Sequence, residues 1–282
     1  MKNENRKINK KLEQGVINTL KVKRVSEPGL YLESLDESEV LLPNAYVKKE
    51  MNIDSLVDVF IYTDSEDRLV ATTLKPYLYL NEFASLKVVD TTKFGAFVDI
   101  GLAKDLLVPK NRQRGTFYKE SYKVLQMQFD ERTSRLIASE KYTLNKEPKN
   151  LVKSDEVDIL LYSKTPLGYK VIVNNLYDGL IFHSEIFENV QIGDKKRAYI
   201  KNVREDGKLD ISLQKIGQKI DEDRVLDILK ANGGSINFTY KSEASDIKDT
   251  FAMSKKAFKA TLTKLLEEKK IILEEDKIRI CN

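Results

Sequence analysis

Apolar and polar residues alternate with a period of two through most of residues 12–213, and the alternation predicts strands. In the first stretch the runs are GVINTLKVKRV, GLYLES, EVLLP, VDVFIY and RLVATT, parted by Pro28-Gly29, Asp36-Glu37 and the acidic turn Asp64–Asp67. Five short strands in about 65 residues predict a small closed β-barrel. The same order returns from Phe83 to Thr143 and from Val152 to Leu213. Three segments, DSEDRLVATT, DERTSRLIAS and REDGKLDISL, each join an acidic turn to a basic residue and a strand. Each follows a glycine that opens an apolar run: PGLYLES at Gly29, FGAFVDIG at Gly95 and LGYKVIV at Gly168. The distances from these glycines to Leu69, Leu136 and Leu209 are 40, 41 and 41 residues, so one unit occurs three times.

After Gly217 the period becomes helical. In DEDRVLDILKANGG the residues Val225, Leu226, Ile228 and Leu229 share a stripe, with acids at the start and Asn232-Gly233-Gly234 at the end. A β run, INFTY, then a helix SEASDIKDTFA with a capping serine, a Met253-Ser254 turn, a helix SKKAFKATLTKLLEEKK and a hairpin IILEEDKIRI complete the order of a winged helix. The predicted fold is mainly β with a small α+β domain. The expected segments are a flexible basic N-terminus 1–11, barrels at 12–76, 77–147 and 148–217, and a winged-helix domain at 218–282. Residues 74–82 and 144–151, carrying Pro76 and Pro148, are the joints.

Composition narrows the chemistry. The balance of 41% hydrophobic and 33% charged residues is that of a soluble globular protein. No apolar run approaches the roughly 18 residues of a membrane span and the N-terminus has no apolar signal core, so the cytoplasm is expected. One cysteine, Cys281, and one histidine, His183, leave no disulfide, thiolate cluster, histidine metal site or catalytic triad, and no cofactor is expected. The carboxylates fall in the repeated acidic turns and form no nuclease-like metal cluster, so catalysis is not expected.

A net charge of +4 decides little, but its distribution is informative. Lys2, Arg6, Lys7, Lys10 and Lys11 form a solvated basic arm. Lys110, Arg112, Arg114, Lys119 and Lys123 are interleaved with Phe117, Tyr118 and Tyr122. Cations beside aromatic rings suit single-stranded nucleic acid, because phosphates attract charge and unstacked bases need flat apolar faces.

FGAFVDIG with a later strand ending in RLIAS is similar to the S1 RNA-binding module, a five-stranded OB-type barrel. The combination of DSEDRLVATT, KDLLVP, VREDGKLDISLQ and MSKKAFK resembles the bacterial conserved virulence factor B family, along almost the whole chain after residue 12. The resemblance implies three tandem S1/OB-type barrels followed by a winged helix. It also implies an RNA-binding regulatory protein, without known catalysis, that acts post-transcriptionally on virulence-gene expression.

The expected RNA-binding residues centre on the second repeat. Phe94 and Phe97 are three apart, so a regular strand sends them to opposite faces; a bulge at Gly95 would turn both outward, whereas without it one ring belongs to the core. Lys93, Lys110, Arg112 and Arg114 would form a basic rim. Arg135 and, in the third repeat, Lys208 match the S1 pattern's basic residue, and either reach a phosphate or pair locally with Asp130 and Asp206. The positions equivalent to the phenylalanines are Pro28 and Tyr31 in the first repeat, and Leu167 and Lys170 in the third. The S1 pattern often carries a histidine at the end of its third strand; GLIFHSEI places Phe182 there and His183 one place later, so His183 is either a displaced contact or an ordinary half-buried histidine. The second repeat is the expected main reader and the third its assistant. The first is expected to pack through Leu41, Leu42 and Pro43.

Lys255, Lys256 and Lys259 lie on the expected recognition helix and suit phosphate or partner contact. That helix lacks the Arg, Asn and Gln side chains that read base edges, which disfavours sequence-specific duplex reading; the alternative functions are a DNA-binding transcription regulator using the winged helix, or an RNA/protein adaptor scaffold. The expected partner is single-stranded RNA, with DNA or a protein as the alternative at the winged helix, no membrane, and a monomeric state.

Overall fold

The computed structural model describes residues 7–215 and 218–281. They fall in two compact units, 1–143 and 144–282.

The first unit holds two barrels. Barrel 1 is built from β1 (Ile17–Ser26), β2 (Gly29–Glu33), β3 (Glu39–Pro43), β4 (Leu56–Thr63) and β5 (Leu69–Thr72), closed in the order β1-β2-β3-β5-β4. Its pairs are antiparallel except β3 with β5, which meet in parallel at Leu41 and Val70. Alternation sends Leu20, Val22, Leu32, Val57, Val59 and Ile61 inward. On β4 the alternation fails, because Phe60 and Tyr62 are buried too. With Val70 they join the core of barrel 2, where Phe60 lies 6.0 Å from Tyr79, centroid to centroid. The first repeat therefore packs through Phe60, Tyr62 and Val70, and not through the expected Leu41–Pro43 rim, of which Leu42 belongs to barrel 1's own core.

Barrel 2 contains β6 (Phe83–Thr91), β7 (Gly95–Val98), β8 (Leu106–Pro109), β9 (Tyr122–Asp130) and β10 (Arg135–Ser139), in the order β10-β9-β6-β7-β8. In the second unit, β11 (Glu156–Thr165), β12 (Gly168–Val173), β13 (Tyr177–Phe182), β14 (Lys195–Val203) and β15 (Leu209–Ser212) close barrel 3 in the order β11-β12-β13-β15-β14. Its parallel closure joins Gly179 to Leu209 and Leu180 to Asp210.

The repeated glycines answer to one contact. A Cβ on Gly29, Gly95 or Gly168 would sit 2.1, 2.2 or 1.9 Å from the carbonyl oxygen of Leu42, Val108 or Ile181 on the neighbouring strand, so no side chain fits. The bulge expected at Gly95 lies instead on the first strand of each barrel, where the register shifts between Val22 and Arg24, Val88 and Asp90, and Leu161 and Ser163. An extra residue there strengthens the twist that curls five strands into a barrel.

The C-terminal domain runs α1 (Gln218–Ala231), β16 (Ser235–Ile236), α2 (Ala244–Phe251), α3 (Lys255–Glu267), β17 (Ile271–Leu273) and β18 (Ile278–Ile280), with sheet order β16-β18-β17. Val225, Leu229, Ile247, Phe258, Leu262 and Leu265 form its core. Of INFTY only Ile236 is strand, in β16, because the chain then turns and drives Phe238 against Phe251 at 5.0 Å. The serine that caps a helix is Ser254, whose Oγ accepts from Ala257 N at 3.2 Å; α2 has Glu243 at its N-cap and no side-chain cap. No helix among the described residues is long and apolar enough to cross a membrane.

Of the expected flexible arm, Lys2 and Arg6 lie outside the described residues. Asn9–Lys11 differ from the expectation: Leu35 N and Asp36 N donate to Asn9 O and Lys10 O, both at 3.0 Å, and Leu12 packs on the core of barrel 1. Backbone pairing and one half-buried leucine outweigh the solvation of Lys10 and Lys11.

Candidate nucleic-acid interface

Barrel 2 departs from its two siblings at one seam. The parallel pairs Leu41–Val70 of barrel 1 and Leu180–Asp210 of barrel 3 have as their equivalent Leu107 and Ile137, yet no β8–β10 ladder is present among the described residues. The two strands lie adjacent without pairing, and a cleft of about 550 Å³ lies along them. Leu107 and Ile137 both line it, with Phe97, Arg112, Arg132 and Arg135, and with Tyr62 and Thr63 from barrel 1.

Phe97 is half-buried and faces away from the barrel interior, because Ala96 and Val98 on either side point inward. Phe94 precedes β7 and is 70% exposed, with Lys93 Nζ 5.0 Å from its ring centroid. The two rings do not share a site, since Phe94 is not among the residues lining the cleft. Neither is in the core.

The cations divide into held and unheld. Arg135 is ion-paired with Asp67 of barrel 1, not with Asp130, whose carboxylate accepts from Thr133 Oγ1 at 2.8 Å within its own turn. Lys104, which sequence reasoning passed over, donates to Asp64 O at 2.5 Å and lies 3.8 Å from Asp67. Arg112 and Arg132 make no ion pair among the described residues. Asp105 also lines the cleft, and burial, with the neighbouring Asp99, pushes its carboxyl above the ordinary range.

The rest of the expected rim is dispersed. Lys110 is exposed, and its backbone N–H donates to Phe94 O at 2.9 Å. Arg114 lies outside the cleft, its backbone N–H 2.6 Å from Glu140 Oε2 and its guanidinium 5.5 Å from the Tyr142 centroid. Among the interleaved aromatics, Phe117 belongs to the core, whereas Tyr118 and Tyr122 are exposed.

At the position equivalent to Phe97, barrel 1 carries Tyr31, covered by the Arg24 guanidinium 3.5 Å from its centroid. Arg24 pairs in turn with Glu39 at 2.9 Å, and hydrogen bonds from Lys23 and Arg24 hold that carboxyl below its usual range. This face neutralises itself. In barrel 3 Lys170 is exposed, and Phe182 lies 5.6 Å from the guanidinium of Arg204, itself bound to Asp210 at 2.6 Å. His183 is exposed, its Nε2 3.2 Å from Thr165 O and its ring 5.9 Å from Tyr169, edge to face. Lys208 folds back on Asp206 at 2.9 Å. Arg204 was missed by motif matching, whereas Tyr169 stands beside the expected Lys170, directly after the repeated glycine.

On α3, Lys256 and Lys259 are exposed, while Lys255 is half-buried with Nζ 3.4 Å from Lys241 O. Further along α3, Lys264 meets the buried Glu222 at 2.5 Å. The wing is locally paired: Glu274 holds Lys277 at 3.3 Å and Arg279 at 3.2 Å. Among the described residues no group of His, Cys, Asp or Glu is placed to hold a metal ion.

Five-stranded OB-type barrels, one of them open along a cation-lined seam, and a terminal winged helix define a nucleic-acid-binding regulatory protein. Comparison with known proteins agrees: residues 14–74 match the S1 domain family and residues 223–280 the CvfB-like winged helix domain. The chain is similar to the uncharacterized protein YitL of Bacillus subtilis strain 168, at 28% identity over 91% of this chain and 90% of that one. It is similar to the conserved virulence factor B of Staphylococcus saprophyticus at 26% identity, covering 82% and 81% of the two chains. It also matches the crystal structure of a multidomain protein with nucleic acid binding domains from Streptococcus pneumoniae TIGR4, at 22% identity and TM-score 0.44 over 95% of this chain and 98% of that one, a likeness too distant to carry function. The chain thus carries an S1 domain and a CvfB-like winged helix domain, and is similar to conserved virulence factor B proteins along most of its length.

Proposed function

We propose that the protein binds single-stranded RNA and through it regulates gene expression post-transcriptionally, virulence genes among them. The observation that carries this reading is Phe97 in a cleft with the guanidinium groups of Arg112 and Arg132, which make no ion pair among the described residues. A ring for an unstacked base beside charges for its phosphates is the combination that single strands require. Relatives named conserved virulence factor B support the regulatory part. Phe94 with Lys93 adds an exposed ring and cation nearby in sequence, and Lys170, Phe182, His183 and Lys208 offer separate contacts on barrel 3. Lys255, Lys256 and Lys259 contribute sequence-independent phosphate contacts. No catalytic step is involved, the protein acts as a monomer, and its compartment is the cytoplasm, where transcripts are.

The test is equilibrium binding of labelled single-stranded RNA, matched single-stranded DNA and duplex DNA across a salt series, with wild type and the Phe94→Ala/Phe97→Ala variant. Preference for RNA that is lost in the variant at an unchanged Tm is the expected result. Duplex preference untouched by the variant would instead assign the function to the winged helix.

A further inference from the structure

We infer that barrel 2 carries a second surface for single-stranded RNA on its β6–β9 flank, reached from the cleft along the loop 110–121, with bases stacked on Tyr118 and Tyr122. This rests on the RNA-binding reading above and adds to it a site outside the cleft.

The loop between the third and fourth strands has the same length in every barrel, at 44–55, 110–121 and 183–194. Each has a positive-φ residue two places before the next strand: Asp54, Glu120 and Gly193. Their chemistry differs. The barrel 3 loop carries Glu185, Glu188 and Asp194 and no lysine or arginine, and the barrel 1 loop balances Lys48 and Lys49 against Glu50 and Asp54. The barrel 2 loop carries Lys110, Arg112, Arg114 and Lys119 against Glu120 alone.

Two residues fasten this loop. Gln113 is buried with its Nε2 donating to Val108 O at 2.9 Å, and Phe117 sits in the core. The side chains between and beyond them are left outside: Arg114 and Lys119 are exposed, and Tyr118 and Tyr122 are 68% and 63% exposed. Ser121 N and Oγ donate to Tyr118 O at 3.1 and 2.5 Å, which closes a turn between the two tyrosines. Tyr122 stands opposite Lys87 of β6, whose Nζ meets Glu120 at 2.6 Å. The hydrogen bond to Glu120 lifts the Lys87 ammonium above its ordinary range, and the same bond holds the Glu120 carboxyl below its own; Tyr122 adds to the first effect and Lys119 to the second, so both stand beside the pair.

β6 is the middle strand of the order β10-β9-β6-β7-β8, and neither tyrosine lines the cleft, so this flank is a separate surface. The loop joins the two, since Arg112 lines the cleft and Tyr118 and Lys119 end on the flank. Exposed rings alone would suit a protein partner, but protein interfaces are poor in lysine. Rings alternating with cations along an ordered loop match a strand of bases and phosphates. Lys119 makes no ion pair among the described residues and is the cation free to meet a phosphate there.

The experiment uses the full chain and fluorescein-labelled oligouridylates of about 5 and about 16 nucleotides, read by anisotropy across a salt series alongside thermal melts. Tyr118→Ala/Tyr122→Ala is expected to weaken binding of the long oligomer about tenfold or more and to leave the short one within about twofold, at wild-type Tm. Tyr118→Phe/Tyr122→Phe keeps the rings and should bind as wild type does; a loss equal to that of the alanine variant overturns stacking. Lys119→Ala should flatten the log–log salt slope of the long oligomer by about 1 and leave that of the short one unchanged. If the alanine variant lowers Tm, Lys119→Ala decides. Long-oligomer affinity retained within about twofold by the folded alanine variant overturns the flank site, with RNA binding at the cleft intact and the tyrosine pair left as a protein contact. Equal losses at both lengths also overturn it, because the tyrosines would then serve the cleft. Failure of the wild type to bind either oligomer overturns the RNA-binding reading as well.

Discussion

Barrels 2 and 3 share a strand order, a first-strand bulge and a glycine pressed against a neighbouring carbonyl, yet one closes and the other does not. Barrel 3 buries a core of its own residues and zips its third and fifth strands in parallel. Barrel 2 shares its core with Phe60, Tyr62 and Val70 of barrel 1, and its corresponding strands stay unzipped beside that contact. Two copies of one fold can thus diverge through what packs on their flanks. The difference also separates their charges, because barrel 3 ties Lys208 and Arg204 to local carboxylates while barrel 2 leaves Arg112 and Arg132 unpaired among the described residues.

The strongest way to break the comparison is through the shared core. Phe60→Ala is expected to destabilise by about 3–5 kcal/mol and to lower the melting of barrels 1 and 2 together, whereas Leu161→Ala lowers that of barrel 3 without moving theirs. Hydrogen exchange resolved by peptide distinguishes this from a change confined to barrel 1.

The feature the barrels have in common offers the next test. Gly95→Ala and Gly168→Ala each set a methyl about 2 Å from a backbone carbonyl and are expected to destabilise their own barrel by about 3 kcal/mol. Similar losses in denaturant unfolding would show that the open seam does not relax the Val108 contact; a much smaller loss at Gly95 would show that it does.

Binding sharpens the contrast further. Phe97→Ala is expected to remove about 1–3 kcal/mol of RNA affinity, the value of a stacked base. Lys170→Ala, at the equivalent place in barrel 3, is expected to remove less and to act mainly on the salt slope, by about 1. Equal losses with equal salt slopes would mean that the two barrels read RNA alike.

The smallest expected effect is the most diagnostic of the wall between barrels 1 and 2. Asp67→Asn releases Arg135, while Lys104 stays on Asp64 O, so RNA affinity should rise severalfold and the salt slope steepen by about 1. Stability should change by less than about 1 kcal/mol, because the pair is half-exposed. Weaker binding on this substitution would mean that the clamp shapes the cleft more than it withholds charge.

Much of this architecture is legible in the chain, because strand alternation and turn chemistry are local. The runs around Leu20, Leu30 and Val40 announce their strands, and GLYLES, FGAFVDIG and LGYKVIV announce the repeat. Even the packing of barrel 1 on barrel 2 leaves a trace in the unbroken VFIY of β4, where an alternating strand would have a polar residue. INFTY misleads, since its β-formers serve the helical core through Phe238 and not a ladder. The candidate site is less legible. Phe97 and Arg112 could be proposed from motif and charge, whereas Lys104 and Arg132, although they lie in KDLLVP and DERTSRLIAS, reach the cleft through the tertiary arrangement of those segments.

The sequence by itself determined three barrels and a winged helix, because hydrophobic period, glycine position and acidic turns act within a few residues of where they are written. Only the tertiary structure decided which basic residues are available to a ligand. Asp67 and Arg135 are 68 residues apart, and no local rule says that one will neutralise the other. Closure is of the same kind: Leu41 and Val70, which pair, and Leu107 and Ile137, which do not pair with each other among the described residues, look alike in sequence, and what packs beside the strands sets the outcome.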